Sequence, residues 1–314
     1  MRRAALLLLL AVATALGGCG FGAGEAPTGG TQLTVSRNFG AEELGHSSRK
    51  TIPGGETVMR QLQRSFEVET RYGGGFVQTI DGVGGGRRSG RPVDWFFYVN
   101  GIEADSGAAA RRLSPGDRVW WDHHDWGGAM RVPAVVGSFP EPFLSGAQGK
   151  RFPVRIDCAE DARRECREVR ERLEEAGAKV GGSGTLGTRA GPGVLRLLVG
   201  RWSEIRVDPT ARRLERGPKV SGVFARPDGA GRQFELLDPR GERVRALGAG
   251  AGLVAATRFL DQQPTWVVTG TDQVGVAAAA AALVEDRLRD RFAVALENGR
   301  EVPLPLPVGG ATTP

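Results

Sequence analysis

The sequence predicts an α+β chain: a small strand-rich unit followed by a layered α/β unit. Three observations carry that reading. At roughly 150 residues per domain, 314 residues suggest about two domains. Between about 31 and 128, alternating runs and glycine-rich turns dominate. From 151 onward, strands alternate with amphipathic helices. The 40% hydrophobic and 25% charged content excludes wholesale disorder and a multi-span membrane protein.

In the first unit, residues 32–37 (QLTVSR) alternate as a strand. Pro53 and two glycines open a short helix whose Val58, Met59, Leu62 and Phe66 share one face, a core stripe rather than a cofactor box. Residues 68–72 and 76–80 form a hairpin about Gly73–Gly75, and 84–90 (GGGRRSG) reads as a loop. Next comes DWFFYVNGIE at 94–103, where aromatic and β-branched residues enter Asn100-Gly101, the dipeptide suited to a type I′ turn. Residues 113–117 (LSPGD) turn into a strand at 118–122 (RVWWD). Residues 129–150, with Pro133, Pro140 and Pro142, read as an extended connector whose aromatics dock on one unit.

The second unit, 151–305, starts with a strand at 152–156 and a helix from 160 to 176 closed by Gly177. Residues 194–199 form a buried strand, 220–225 and 234–237 a hairpin, 253–260 a helix, and 265–269 a short buried strand. Thr271 or Asp272 caps an alanine-rich helix reaching about Asp290. Residues 292–296 and the strand at Val302 flank a last turn, Asn298-Gly299.

Charge excludes one partner class. The 42 basic and 36 acidic side chains leave +6, and only Lys50, Lys150, Lys179 and Lys219 are lysine. No basic tract or aromatic–basic stripe marks a nucleic-acid face. The arginine excess reads as coding bias rather than a binding surface.

The first residues predict the address. Arg2 and Arg3 precede an apolar stretch of 13 residues, 4–16. At helical rise this covers about 20 Å, short of a roughly 30 Å hydrocarbon core, so it reads as an export signal. Leu16-Gly17-Gly18-Cys19 resembles the lipobox of bacterial lipoproteins, Gly17 being a less usual choice at its position. That resemblance implies a signal peptide at 1–19, lipidation of Cys19 and an extracytoplasmic protein anchored to the bacterial cell membrane by two acyl chains. Residues 20–31 then form a flexible tether. The two other cysteines, Cys158 and Cys166, would lie about 12 Å apart if both were helical, beyond the roughly 7 Å limit for a bridge. A disulfide therefore requires Cys158 in the strand-to-helix turn, where the pattern puts it. The alternative is two buried free thiols.

The order helix, Trp-x-x-Tyr-Val-Asn-Gly, small-residue loop, Leu-x-Pro-Gly-Asp-x-Val-x-Trp resembles the transcobalamin-like C-terminal domain, also known in bacteria as a domain of unknown function. Trp95, Tyr98, Asn100, Gly101, Gly116, Asp117, Val119 and Trp121 carry the likeness. It spans residues 32–128 and implies a β-grasp-like sheet curling round one helix. In the vitamin B12 carriers this module closes over a corrinoid held against a helical barrel, and no such barrel accompanies it here.

Alternation sends Trp95, Phe97 and Val99 one way and Phe96 and Tyr98 the other. One row forms the core against Leu62 and Phe66. The other is free to stack on a ligand unless the second unit covers it. Asp122-His-His-Asp125 offers only two ligands per strand face, too few for zinc, so no metal or other cofactor is expected. Residues 182–187 (GSGTLG) match G-x-G-x-x-G by letter but follow a helix and open none, which excludes a dinucleotide site. No hydrolase, P-loop or zincin motif occurs. The expected function is non-catalytic: an envelope lipoprotein whose Trp95, Phe96, Phe97, Tyr98 and Trp121 meet a small planar, corrinoid-like ligand or an envelope protein partner. The alternative is a structural or adhesive envelope protein. An enzyme in the second unit would need Asp157, Glu160 and Asp208, which helix-end charges explain as well.

Overall fold

The computed structural model describes residues 29–188 and 190–308. The leader, Cys19 and most of the tether lie outside the described residues. The first unit contains β1 (Thr31–Arg37), β2 (Glu42–Arg49), α1 (Val58–Gln63), β3 (Val68–Arg71), β4 (Phe76–Ile80), β5 (Val83–Gly84), β6 (Gly86–Arg88), β7 (Arg91–Val99), β8 (Ile102–Glu103) and β9 (Arg118–Asp125). Its main sheet runs β2-β1-β9-β7-β6, with β8 on β7 and β3-β4-β5 forming a separate small sheet. The β1–β9 pair is parallel and the rest of the main sheet antiparallel. Thr57 caps α1 by accepting the Arg60 backbone N–H at 3.3 Å. Val58, Met59 and Leu62 of α1 pack on Leu33, Val35, Trp95, Val99, Val119 and Trp121. The expected loop at 84–90 is instead the tip of the β6–β7 hairpin, because Gly86 and Arg87 pair with Val93 and Pro92.

The second unit contains β10 (Val154–Cys158), α2 (Arg163–Glu175), β11 (Val180–Thr185), β12 (Leu195–Arg201), α3 (Trp202–Ile205), α4 (Pro218–Ser221), β13 (Ala225–Pro227), β14 (Phe234–Leu237), β15 (Arg243–Leu247), β16 (Gly252–Thr257), β17 (Thr265–Gly270), α5 (Gln273–Ala281), α6 (Glu285–Leu288), β18 (Ala293–Glu297) and β19 (Arg300–Leu304). The large sheet runs β11-β10-β12-β17-β16-β18-β19. Its β11, β10, β12 and β17 are parallel, and β16, β18 and β19 complete it antiparallel.

Ile156, Leu197, Val199, Trp266 and Val268 share one core with α2 and α5. On the opposite face, Leu198, Val267, Leu253 and Ala295 share a core with Trp202 of α3, with Ala211 and Leu214 of a 3-10 helix at Ala211–Arg216, and with Phe234 and Leu236 of the β13–β15 sheet.

Three expectations fail here for identifiable reasons. Residues 253–260 were expected to be helical, but Gly252–Thr257 form β16, buried along its whole length between β17 and β18. A strand covered on both faces loses its alternation, and an alanine-rich apolar run then looks helical. At 220–225, Pro218 starts the short helix α4, and strand begins only at Ala225. The alanine-rich helix ends at Ala281, with α6 following as a separate turn.

The stretch 129–150 is folded rather than extended. Val132, Ala134, Val135, Val136, Phe139 and Phe143 are all buried. Phe143 packs edge-on to Trp266 at 5.0 Å, so this segment belongs to the cores it joins. Within it, Glu141 is buried and accepts the Ser145 backbone N–H (2.8 Å) and hydroxyl (2.6 Å). Burial pushes its carboxyl up to about 7 from 4.5, against the opposing pull of the Ser145 bonds.

A raised acid pKa means that the folded chain holds the proton more tightly than the unfolded one. Stability is therefore expected to fall by about 3 kcal/mol as pH rises from about 4.5 to 7, then level off. Urea denaturation of Glu141→Gln across that window should lack this fall. An unchanged slope would show that Glu141 is not its source.

Candidate functional site

The aromatic ribbon at 95–99 lies in two cores. Trp95 and Trp121 are buried against α1, with Phe97 stacked on Trp121 at 4.7 Å. On the other side Tyr98 is 0% exposed and Phe96 half-buried. Tyr98 and Trp120 meet Phe292 of the second unit at 5.6 and 5.1 Å, edge-on. Of the row considered for a ligand, Tyr98 is therefore covered by the second unit, while the half-buried Phe96 stacks on His124 at 4.5 Å.

The remaining motif residues are also used internally. The Asn100-Gly101 turn has φ of 56° and 72°, as a type I′ turn requires. The Asn100 side-chain amide donates to Asp117 Oδ1 (2.8 Å) and to the Gly146 carbonyl (2.9 Å), and its oxygen accepts the Arg118 backbone N–H (2.8 Å). Asp117 in turn accepts the Ser114 N–H at 2.8 Å. The Asn-Gly and Pro-Gly-Asp motifs thus clamp each other.

The Asp-His-His-Asp run divides as strand alternation requires. Asp122 and His124 face the joint, while His123 packs on Trp95 at 5.1 Å and bonds the Gly84 carbonyl at 3.0 Å. The buried Asp122 carboxylate accepts from Ser36 Oγ (2.6 Å), Phe39 N (3.0 Å) and Gly40 N (2.8 Å), and bonds His124 Nδ1 (2.8 Å). Among the described residues no group of three His, Cys, Asp or Glu side chains could hold a metal ion.

In the second unit the sheet's order reverses between β10 and β12, the place where α/β sheets usually open a ligand crevice at their carboxyl ends. Here that end is shut. Cys158, at the end of β10, is bridged to Cys166 in α2, with Cα atoms 6.2 Å apart. The Ala159 N–H donates to the Val199 carbonyl (2.8 Å), and Arg201 pairs with Asp161 (2.7 Å). A side chain on Gly200 would meet Ala159 Cβ at 2.5 Å, so the strands pack directly across the gap.

The three acids considered for catalysis do not converge on an open cleft. Asp157 and Asp208 are buried and both bind Arg196, each at 2.7 Å, with Arg155 also bonding Asp157 at 2.9 Å. Burial works against the Arg196 charge, yet the bonds to Asp157 and Asp208 raise its pKa above the ordinary value. Glu160 is exposed and pairs with Arg163 at 3.4 Å.

A further feature is an arginine cleft of about 390 Å³ at the amino ends of β12 and β17, lined by Arg196, Arg212, Arg213, Arg216, Phe259 and Gln263 among others. Asp208 starts the 3-10 helix by accepting the N–H groups of Thr210 and Ala211. That helix buries Ala211 and Leu214 and turns the arginines outward. Arg196 is neutralised as described. Arg213 lies over the Phe259 ring at 4.9 Å, donates to the Val220 carbonyl at 2.5 Å, and has a buried Nε with no partner. Desolvation and the neighbouring Arg216 lower its pKa. The Arg212 and Arg216 side chains are exposed and have no hydrogen-bond or ion-pair partner among the described residues.

Three positive charges therefore share one cleft without a compensating carboxylate, a geometry that suits an anion. The sequence reading missed these residues by treating arginine as compositional bias. The signal available was Arg212-Arg213-x-x-Arg216 between Asp208-Pro and Gly-Pro.

Residues 55–125 match a family model described as a domain of unknown function (DUF4430). Among solved structures, a presumed metal-binding protein from Ruminococcus gnavus ATCC 29149 is similar over 31% of this chain and 97% of its own, at 14% identity and a TM-score of 0.25. No curated protein matches.

The sealed joint makes a stability prediction. Phe292 is 3% exposed and touches Phe39, Tyr98, Trp120 and His124. Phe292→Ala should cost about 3–5 kcal/mol in urea denaturation followed by tryptophan fluorescence. A loss below about 1 kcal/mol would mean that the rings do not couple the two units.

Proposed function

We propose that this is an extracytoplasmic, lipid-tethered binding protein, not an enzyme, whose ligand site is the arginine cleft of the second unit. The observation that carries this reading is the set of uncompensated guanidinium groups of Arg212, Arg213 and Arg216 around a cavity of small-molecule size. Guanidinium forks suit carboxylate and phosphate, and charge-assisted bonds are stronger than neutral ones. The pairing of Asp157 and Asp208 with Arg196 supports binding over catalysis. The transcobalamin-like resemblance of residues 32–128 supports a β-grasp-like module acting as a rigid support, since Trp95, Tyr98 and Trp121 of its aromatic ribbon are buried in the cores. The Leu-Gly-Gly-Cys run supports a tether at Cys19.

Inorganic pyrophosphate titrated into residues 20–314 by calorimetry at low salt should bind. Arg212→Gln with Arg216→Gln should weaken that binding about tenfold or more, one tenfold step being about 1.4 kcal/mol. No heat at millimolar pyrophosphate would remove the anion reading. Separately, the full chain expressed with its leader in a bacterial host should partition into detergent, and Cys19→Ser should shift it to the aqueous phase. Equal partitioning of the two would remove the tether.

A further inference from the structure

One edge of the arginine cleft carries apolar side chains. Phe259, which lines it, is 38% exposed, and its neighbour Leu260 is 74% exposed. Both belong to the exposed large hydrophobic side chains among the described residues.

Leu260 is also held in an unfavourable backbone conformation, with φ of 51°. A branched side chain is disfavoured there, and a purely solvent-facing turn would favour Asn or Gly. The turn that imposes it is braced. Gln262 N–H donates to the Phe259 carbonyl (3.2 Å), Arg258 donates to the Gln262 carbonyl (2.9 Å), and Arg258 also pairs with Asp105 of the first unit (2.9 Å). A strained residue kept in place by its surroundings points to a use for what it presents.

We infer that the cleft takes an anionic amphiphile, with its phosphate or carboxylate head on Arg212, Arg213 and Arg216 and its apolar part on Phe259 and Leu260. This rests on the anion-binding reading above and adds the second half of the ligand. Either a free amphiphile or the headgroup region of an anionic membrane lipid supplies that chemistry. Gln263, another lining residue, offers hydrogen bonds beside the head.

The test compares three probes on residues 20–314: inorganic phosphate, monomeric octyl phosphate with a head of the same charge, and phosphatidylglycerol vesicles. Octyl phosphate should bind about tenfold or more tightly than inorganic phosphate, since two buried methylenes already supply about that factor. Leu260→Asn tolerates the left-handed backbone, so the variant keeps the turn. It should lose most of the octyl advantage while leaving inorganic phosphate unchanged, and Arg216→Gln should weaken both.

Octyl phosphate binding together with Arg216-dependent vesicle binding would assign the ligand to membrane lipid. Octyl phosphate binding without vesicle binding would assign a free amphiphile. Equal affinity for inorganic phosphate and octyl phosphate would overturn this inference and leave the anion site standing. Absence of binding by both soluble probes would overturn both readings.

Discussion

One buried carboxylate fixes how the two units meet. Residues 38, 39 and 40 all have positive φ, at 57°, 61° and 75°, a run that L side chains rarely tolerate. Asp122 makes it possible by accepting the backbone N–H groups of Phe39 and Gly40 and the hydroxyl of Ser36, with His124 bonded beside them. Gly40 must be glycine for a further reason, because a Cβ there would lie 2.0 Å from the Asp290 carbonyl oxygen. The reward for this local cost is the direction of Phe39. Its ring enters the joint, 5.1 Å from Phe224, 5.0 Å from Phe292 and 4.5 Å from His124. A polar group this deeply buried is tolerable only because its lone pairs are occupied.

From that constraint the role of the aromatic motif changes. Trp120 and Tyr98 are needed to fill the joint, and Trp95 and Trp121 to fill the core under α1. The spacing that makes the motif recognisable is the spacing at which Asn100 can reach Asp117 and Gly146. These are requirements of folding. The burial of the motif in two cores is thus explained by folding alone.

The legible parts of the fold were those with local causes. The Asn100-Gly101 and Asn298-Gly299 hairpins, the capped helix at Asp272 and the strand-to-helix placement of Cys158 each depend on a few adjacent residues. What failed depended on distant packing. Residues 252–257 are a strand only because β17 and β18 cover both edges, and residues 129–150 fold only because two cores share them. The candidate site depended on distant packing in the same way, twice over. Alternation correctly separated Phe96 and Tyr98 from Trp95 and Phe97, but only the second unit decides what lies above them. Composition likewise registered arginines without distinguishing Arg196, held between two buried aspartates, from Arg212 and Arg216, which face none.

The position of the cleft accounts for its chemistry. At the carboxyl ends of parallel strands, helix N-termini offer anions backbone N–H groups and the positive end of a dipole. Here the disulfide, the Ala159–Val199 hydrogen bond and the Arg201–Asp161 pair occupy that end. The cavity lies instead beside Arg196 near the start of β12 and Thr265 at the start of β17. The six-residue 3-10 helix beside it has only a short dipole, and Asp208 already satisfies its first N–H groups. Positive charge at this edge must therefore come from side chains. Arginine fits best, because it stays charged when partly desolvated and can lie flat over Phe259 while presenting its edge to an oxyanion.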